Sequence, residues 1–177
     1  MRNVQLYIAA SIDGYIARTD GGIDWLSSVE KENEDYGYGE FLDSVDTTLM
    51  GRKTYDDVRG FGGPFPYPGL NNYVFSRQEQ GPDSNPVQHV TENPAAFVKG
   101  LKSQPGGNIW LIGGGQLNTL LLNAGLIDEM ILSIIPIVLG EGIPLFGGHP
   151  KETKWRLTKH EVFDTGLVQV RYRVILL

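Results

Sequence analysis

Ile109-Trp110-Leu111-Ile112-Gly113-Gly114-Gly115-Gln116-Leu117 is the stretch on which the fold turns. An unbroken apolar run of four reads as a buried strand, and three consecutive glycines read as a tight turn. The segment after them, residues 116–124, has helical length, with Gly125 placed to cap its carboxyl end. A strand that passes through glycine into a helix is the repeating unit of a parallel sheet, because parallel neighbours need a crossover. Outward from this stretch the same order recurs. Residues 4–10 read as a buried strand, 15–17 as a short extended piece, 47–50 as a strand, and 54–58 as a helical turn or two. Residues 72–75 and 87–90 read as strands on either side of a loop at 78–86. Asn93-Pro94 has the form of a helix start, an N-cap followed by proline, for a helix to about 103. Downstream, 129–135 is a strand and 136–148 a long loop. Residues 156–163 and 167–175 form an antiparallel pair across Asp164-Thr165-Gly166. An acidic helix is expected over about 27–44, although Gly37 and Gly39 weaken its second half. The pattern predicts an α/β fold: a mostly parallel sheet flanked by helices, with an antiparallel edge hairpin at the C-terminus. The length of 177 residues suits one domain over 1–177.

Composition removes several classes of function. With 15 basic and 21 acidic side chains the net charge is −6, which argues against a dedicated nucleic-acid binder. The absence of cysteine excludes disulfides, thiolate zinc sites and cysteine nucleophiles together. The three histidines, at 89, 149 and 160, have no metal-ligand spacing, so no metal is expected. The apolar run at 4–10 is broken by Ser11 and Asp13, and the run at 130–139 is too short to span a bilayer and contains Pro136. A cytoplasmic protein with no membrane contact is expected. Glycine, at 23 residues, is in excess, which means many backbone positions of positive φ or close approach.

Chemistry in an open α/β sheet collects beyond the carboxyl ends of the strands. Three such junctions are unusual. At Gly113-Gly114-Gly115 the chain can approach a ligand, and the helix start behind it offers unpaired amides to a phosphate. A sharp turn that merely tolerates glycine is the plainer alternative. The dinucleotide fingerprint is not met, since Asn118 stands where its last glycine belongs. At Met50-Gly51-Arg52-Lys53-Thr54-Tyr55, a glycine, two cations and a hydroxyl lie between a strand and a helix, which is the composition of an anion site. Its alternative is a capped helix with two solvated cations. At Phe75-Ser76-Arg77-Gln78 a guanidinium could fork onto a phosphate. One extended polyanion gripped by all three is the economical reading.

These motifs, with Ser11-Ile12-Asp13-Gly14-Tyr15-Ile16-Ala17, occur in an order and spacing that closely resemble the dihydrofolate reductase superfamily. Within it the chain is most similar to the bacterial branch related to the reductase domain of riboflavin biosynthesis. The likeness covers essentially the whole length, through Ile134-Ile135-Pro136-Ile137-Val138-Leu139-Gly140. The resemblance implies a central eight-stranded sheet and an NADPH site. By motif, Gly51, Arg52, Lys53 and Thr54 would hold the pyrophosphate and 2′-phosphate, and Ser76 and Arg77 would complete the 2′-phosphate pocket. Gly113, Gly114, Gly115, Gln116 and Leu117 would line the pyrophosphate and nicotinamide, with a cis peptide between Gly113 and Gly114. Ala9 and Ala10 would let the nicotinamide carboxamide lie against backbone.

On the substrate side, Trp25 and Glu30 reproduce the interval between a mobile-loop tryptophan and the pterin-binding carboxylate of folate reductases, without the intervening prolines. The same resemblance sets Asp13 at the border of the nicotinamide pocket and Glu141 in a loop that faces substrate. Asp13 and Glu30 are therefore the candidate catalytic acids, although a turn residue and a surface acid explain them equally well. Trp25, with Phe61, Phe65 and Tyr67, could wall a flat heterocycle. The expected activity is NADPH-dependent hydride transfer to a C=N or C=O group of a pterin- or pyrimidine-like heterocycle. The alternatives are a 5-amino-6-(5-phosphoribosylamino)uracil reductase and a non-catalytic NADPH-binding module or sensor. A homodimer is expected from the resemblance.

Overall fold

Strand β1, Val4–Ser11, is the axis of the molecule, and its alternation decides what lies on each face. Val4 and Leu6 are fully buried and pack with Ile8 against one layer of helices, whereas Tyr7 and Ala9 face the other side. The computed structural model describes residues 1–78, 83 and 85–175. In chain order the further elements are β2 (Tyr15–Ala17), α1 (Tyr38–Asp43), β3 (Val45–Gly51), α2 (Arg52–Gly60), β4 (Asn71–Phe75) and β5 (Val87–Val90). Then come α3 (Pro94–Lys102), β6 (Asn108–Gly113), α4 (Gly115–Asn123), β7 (Glu129–Ile135), β8 (Ile143–Pro144), β9 (Trp155–Val162) and β10 (Val168–Val174). Eight strands form one sheet in the order β5-β4-β3-β6-β1-β7-β10-β9. The first six run parallel, and β10 and β9 add an antiparallel edge. The expected sheet and its C-terminal hairpin are both present.

Helices α3 and α4 cover one face, where Val98, Leu101, Leu117 and Leu121 meet Leu6, Leu49, Ile109 and Leu111. Each fully buried aliphatic side chain there contributes roughly 1.5–3 kcal/mol. The opposite face carries an aromatic cluster instead, with Tyr7, Phe41 and Trp110 packed together. Because the six parallel strands share a direction, their carboxyl ends at Ser11, Gly51, Phe75, Val90, Gly113 and Ile135 open along one edge of the molecule.

The acidic helix expected over 27–44 is not continuous. A 3-10 turn at Asp24–Val29 ends in a non-helical stretch, and α1 begins only at Tyr38. Asn33, Tyr36 and Gly37 have φ of 62°, 55° and 76°, a left-handed conformation that a right-handed helix cannot contain. The Asp35 carboxylate accepts hydrogen bonds from the Gly37 and Gly39 amides at 2.9 and 3.0 Å, which competes locally with helix formation. The long loop after β7 also differs from expectation, since it contains β8, which pairs antiparallel with β2. Of the loop expected at 78–86, residues 79–82 and 84 lie outside the described residues. Among the described residues no helix is long and apolar enough to cross a membrane.

Candidate functional site

A cavity of about 960 Å³ occupies the carboxyl edge of the sheet. Helices α2 and α4 begin at its wall, with Gly51 and Gly114 as N-caps and no side-chain cap on either. Helix α3 begins there too, but the Asn93 side chain accepts from the Ala95 and Ala96 amides at 2.9 and 3.2 Å. The first amides of α2 and α4 are thus left for a ligand, together with the positive ends of both dipoles. The two N-termini also touch. A Cβ at Gly114 would stand 3.1 Å from the Thr54 hydroxyl, so glycine is what permits the approach. The peptide between Gly113 and Gly114 is cis.

Three cations line the same space: Arg52, Lys53 and Arg77. Arg52 is paired with Asp56 at 2.9 Å and Lys53 with Asp57 at 3.2 Å, both one helical turn ahead. Exposed pairs of this kind contribute only about 0.3–0.5 kcal/mol, so a phosphate can displace them. Ser76, whose hydroxyl donates to the Gln78 carbonyl at 2.8 Å, completes this end. Ala9, Gly51, Thr54, Gly115, Gln116 and Leu117 line the cavity as well. Ala10 does not line it and is buried. Gly113 sits behind the wall, next to the Asn118 side chain. The two guanidinium groups and the glycine turn therefore meet in one space.

A second cavity of about 670 Å³ adjoins the first, sharing Tyr7, Ala9, Leu26 and Tyr38 with it. Its walls are aromatic and its rim acidic, with Glu30, Glu32, Glu34 and Asp35 against Lys31. Tyr7 stacks on Phe41 with ring centroids 4.2 Å apart, and in the first cavity Tyr67 meets Trp110 edge-on at 5.1 Å. Burial pushes the Tyr7 phenol up to about 12, despite the Gln169 amide, and it raises Tyr38 and Tyr67 as well. These hydroxyls are neutral donors throughout the physiological range. Gln169 donates to the Ser133 hydroxyl and the Tyr36 carbonyl, both at 3.1 Å, which fixes the inner wall.

The expected catalytic and substrate residues fare differently from the coenzyme set. Asp13 lines neither cavity. Its carboxylate accepts from the Ser11 hydroxyl at 2.6 Å and from the Gly140 and Leu139 amides at 2.7 and 3.1 Å. Those bonds, the one from Ser11 foremost, hold it below the usual carboxylate range and tie the loop after β1 to the loop at 139–140. Glu30 follows the 3-10 turn at the rim of the second cavity and does not reach the first. Trp25 is buried against Val29, Ile135 and Leu167 and stands behind the wall, not in it. Its indole N–H is buried without a partner. Glu141 is exposed and lines neither cavity. Phe61 and Tyr67 do line the first cavity, while Phe65 packs behind on Tyr55 and Tyr67. Tyr7, Tyr38 and Trp110 were not singled out from the sequence. Tyr7 shares a strand face with Ala9 by its two-residue interval, and that was the available signal.

A family model described as the RibD C-terminal domain matches residues 2–169. The uncharacterized protein YwjB of Bacillus subtilis is 44% identical over 97% of both chains. A crystal structure of a Shewanella sp. PV-4 protein ascribed to riboflavin biosynthesis is 32% identical with a TM-score of 0.88, covering 99% of this chain and 100% of that one. Dihydrofolate reductase from Enterococcus faecalis, complexed with NADP(H), shares the fold at 18% identity and a TM-score of 0.68, with 97% and 96% of the two chains covered.

Proposed function

The chain belongs to the family of RibD C-terminal domains within the dihydrofolate reductase-like superfamily, and on that premise we propose that it is an NADPH-dependent reductase of a small planar heterocycle. One observation carries the reading: two helix N-termini without side-chain caps and three cations converge on a single cavity. That arrangement suits a coenzyme with a pyrophosphate and a further phosphate. The Enterococcus reductase of the same fold holds NADP(H).

In this reading the amides of α2 and α4 hold the pyrophosphate. Arg77 and Ser76, with Arg52 and Lys53, hold the 2′-phosphate and favour NADPH over NADH. Ala9 leaves room for the nicotinamide against β1, and Gly114 and Gly115 let backbone approach it. When bound, NADPH supplies a hydride for a C=N or C=O group. The protein orients the two rings, excludes water from their contact and leaves the proton to arrive from the open side of the second cavity, with Glu30 at its rim. Asp13 serves as a loop tie.

The test is a fluorescence titration of NADPH at micromolar protein, followed by NADPH oxidation at 340 nm with dihydropterins, pyrimidines and quinonoid acceptors. Absence of binding overturns the proposal. Binding without turnover of any acceptor transfers it to a coenzyme-binding sensor.

A further inference from the structure

We propose that the substrate carries no phosphate: it is a planar heterocycle, neutral or positively charged, seated against the wall that Tyr7 and Tyr38 form where the two cavities meet. This rests on the reductase reading and narrows it, setting the phosphoribosyl pyrimidine alternative aside.

The argument begins with the division of charge. The cations of the combined space, Arg52, Lys53 and Arg77, belong to the first cavity and to the helix starts. Among the described residues the second cavity has Lys31 as its one basic lining residue, and that ammonium is paired with Asp164 in an exposed pair. Against it stand Glu30, Glu32, Glu34 and Asp35. Two of these charges are fixed in place, since Glu34 accepts from the Tyr36 amide at 2.8 Å and Asp35 from the Gly37 and Gly39 amides. A ribose phosphate reaching into this space would meet like charge at the rim, four carboxylates against the single Lys31 ammonium.

The walls supply the positive half of the selection. Tyr7 and Tyr38 face both cavities, Tyr7 backed by Phe41, and Tyr38 set edge-on to Trp110 at 6.0 Å. Their ring centroids are 6.1 Å apart with 45° between the planes, so the two tyrosines form one wall, and a flat ring laid against it gains apolar burial and an aromatic neighbour. Raised by burial, their phenols remain protonated and offer neutral hydrogen bonds. The volume of about 670 Å³ lies in the range of small-molecule sites.

The experiment compares two flavins that differ by one phosphate, riboflavin and flavin mononucleotide, by flavin fluorescence quenching on the full chain with and without saturating NADP⁺. Riboflavin is expected to bind at least about tenfold more tightly than flavin mononucleotide, with the gap shrinking as salt screens the rim. A triple variant, Glu30→Gln, Glu32→Gln and Glu34→Gln, is expected to bring the two affinities together and leave NADP⁺ binding unchanged. These side chains are on the surface, so folding is not at risk. Equal or tighter binding of flavin mononucleotide by the parent protein, failure of both flavins to bind, or an unchanged gap in the triple variant overturns the proposal. The NADP⁺ arm is read separately: its failure removes the reductase reading while the flavin comparison still reports on the second cavity.

Discussion

The end of the site proposed for the coenzyme and the end proposed for the substrate are built from different materials. The first is main chain: two helix starts, a glycine turn and a strand bend, with cations at the margin. The second is side chain: Tyr7 of β1, Tyr38 of α1 and Tyr36 just before it, with aliphatic side chains between them, rimmed by carboxylates. Main chain that must approach a phosphate forces glycine into fixed intervals, and ring walls impose no such local pattern. A family can therefore hold its coenzyme end constant while the opposite wall changes what is reduced.

The largest expected effect separates the two ends by charge. Arg52→Ala combined with Arg77→Ala removes two guanidinium groups from the first cavity and none from the second. Hydrogen bonds to charged groups contribute about 1.5–3 kcal/mol each, so NADPH affinity should fall by roughly 100-fold or more. NADH affinity should change far less, and riboflavin affinity not at all. Parallel titrations of the three ligands check this. Equal losses for NADPH and NADH would move the guanidinium groups from the 2′-phosphate to the pyrophosphate.

A smaller effect tests the main-chain claim. A Cβ at Gly115 would lie 2.2 Å from the Pro144 carbonyl oxygen, and backbone cannot swing aside as a side chain does. Gly115→Ala should destabilise the protein by about 1–3 kcal/mol and weaken NADPH binding. Gly60→Ala, in the last turn of α2 with nothing within 4 Å of the added carbon, should instead leave stability unchanged or raise it by about 0.5–1 kcal/mol. Thermal melts of both variants decide whether close approach, or glycine as such, matters.

The contrast also explains what the sequence could reveal. Residues 109–117 announced a strand, a turn and a helix because burial, positive φ and capping each leave local marks, and the structure has β6, the cis Gly113–Gly114 bond and α4 there. The three junctions set apart by their glycines and cations stood out for the same reason, and residues of all three line the first cavity. The acidic stretch after Trp25 was misread as one helix because its charges look helical while Asn33 and Tyr36 adopt positive φ without being glycine. Tyr7, Tyr38, Tyr67 and Trp110 come from four separate elements, and only the β1–β6 pairing and the folding of α1 over the sheet bring them together. Asp13 was readable as a turn residue, but its partners at 139 and 140 lie more than a hundred positions away.

At the substrate end, Tyr7 gives a pH signature that the coenzyme end lacks. Its phenol is near 10 when solvated and about 12 in the fold, because burial disfavours the phenolate. A raised acid of this kind gives stability that is fully present below pH 10 and lost as the pH climbs toward 12. Tyr38 and Tyr67 are raised in the same direction, so Tyr7→Phe should reduce the alkaline slope without abolishing it. Urea melts between pH 9 and about 11.5 measure it. An unchanged slope would mean that Tyr7 is already solvated, and the seat proposed against Tyr7 and Tyr38 would then be open to water.

The smallest effect concerns the acid that belongs to neither end. Asp13→Asn keeps one acceptor oxygen but loses the charge and the second acceptor, so one of the Leu139 and Gly140 amides must turn to water. Both amides are exposed, which makes the loss slight, and the melting temperature at neutral pH should fall only a little. The carboxylate is held below its ordinary range, so its contribution is present above the pH where a free aspartate titrates, and it fades as the pH falls through the lowered value. The variant should therefore match the parent protein in strong acid and differ from it most at neutral pH. NADPH affinity and turnover of any acceptor found should stay within about twofold of the parent, since an exposed tie that touches neither cavity transmits little to the site. A variant that binds NADPH normally yet loses most of its turnover would restore Asp13 to the chemistry, and the division between a coenzyme end and a substrate end would need a third member.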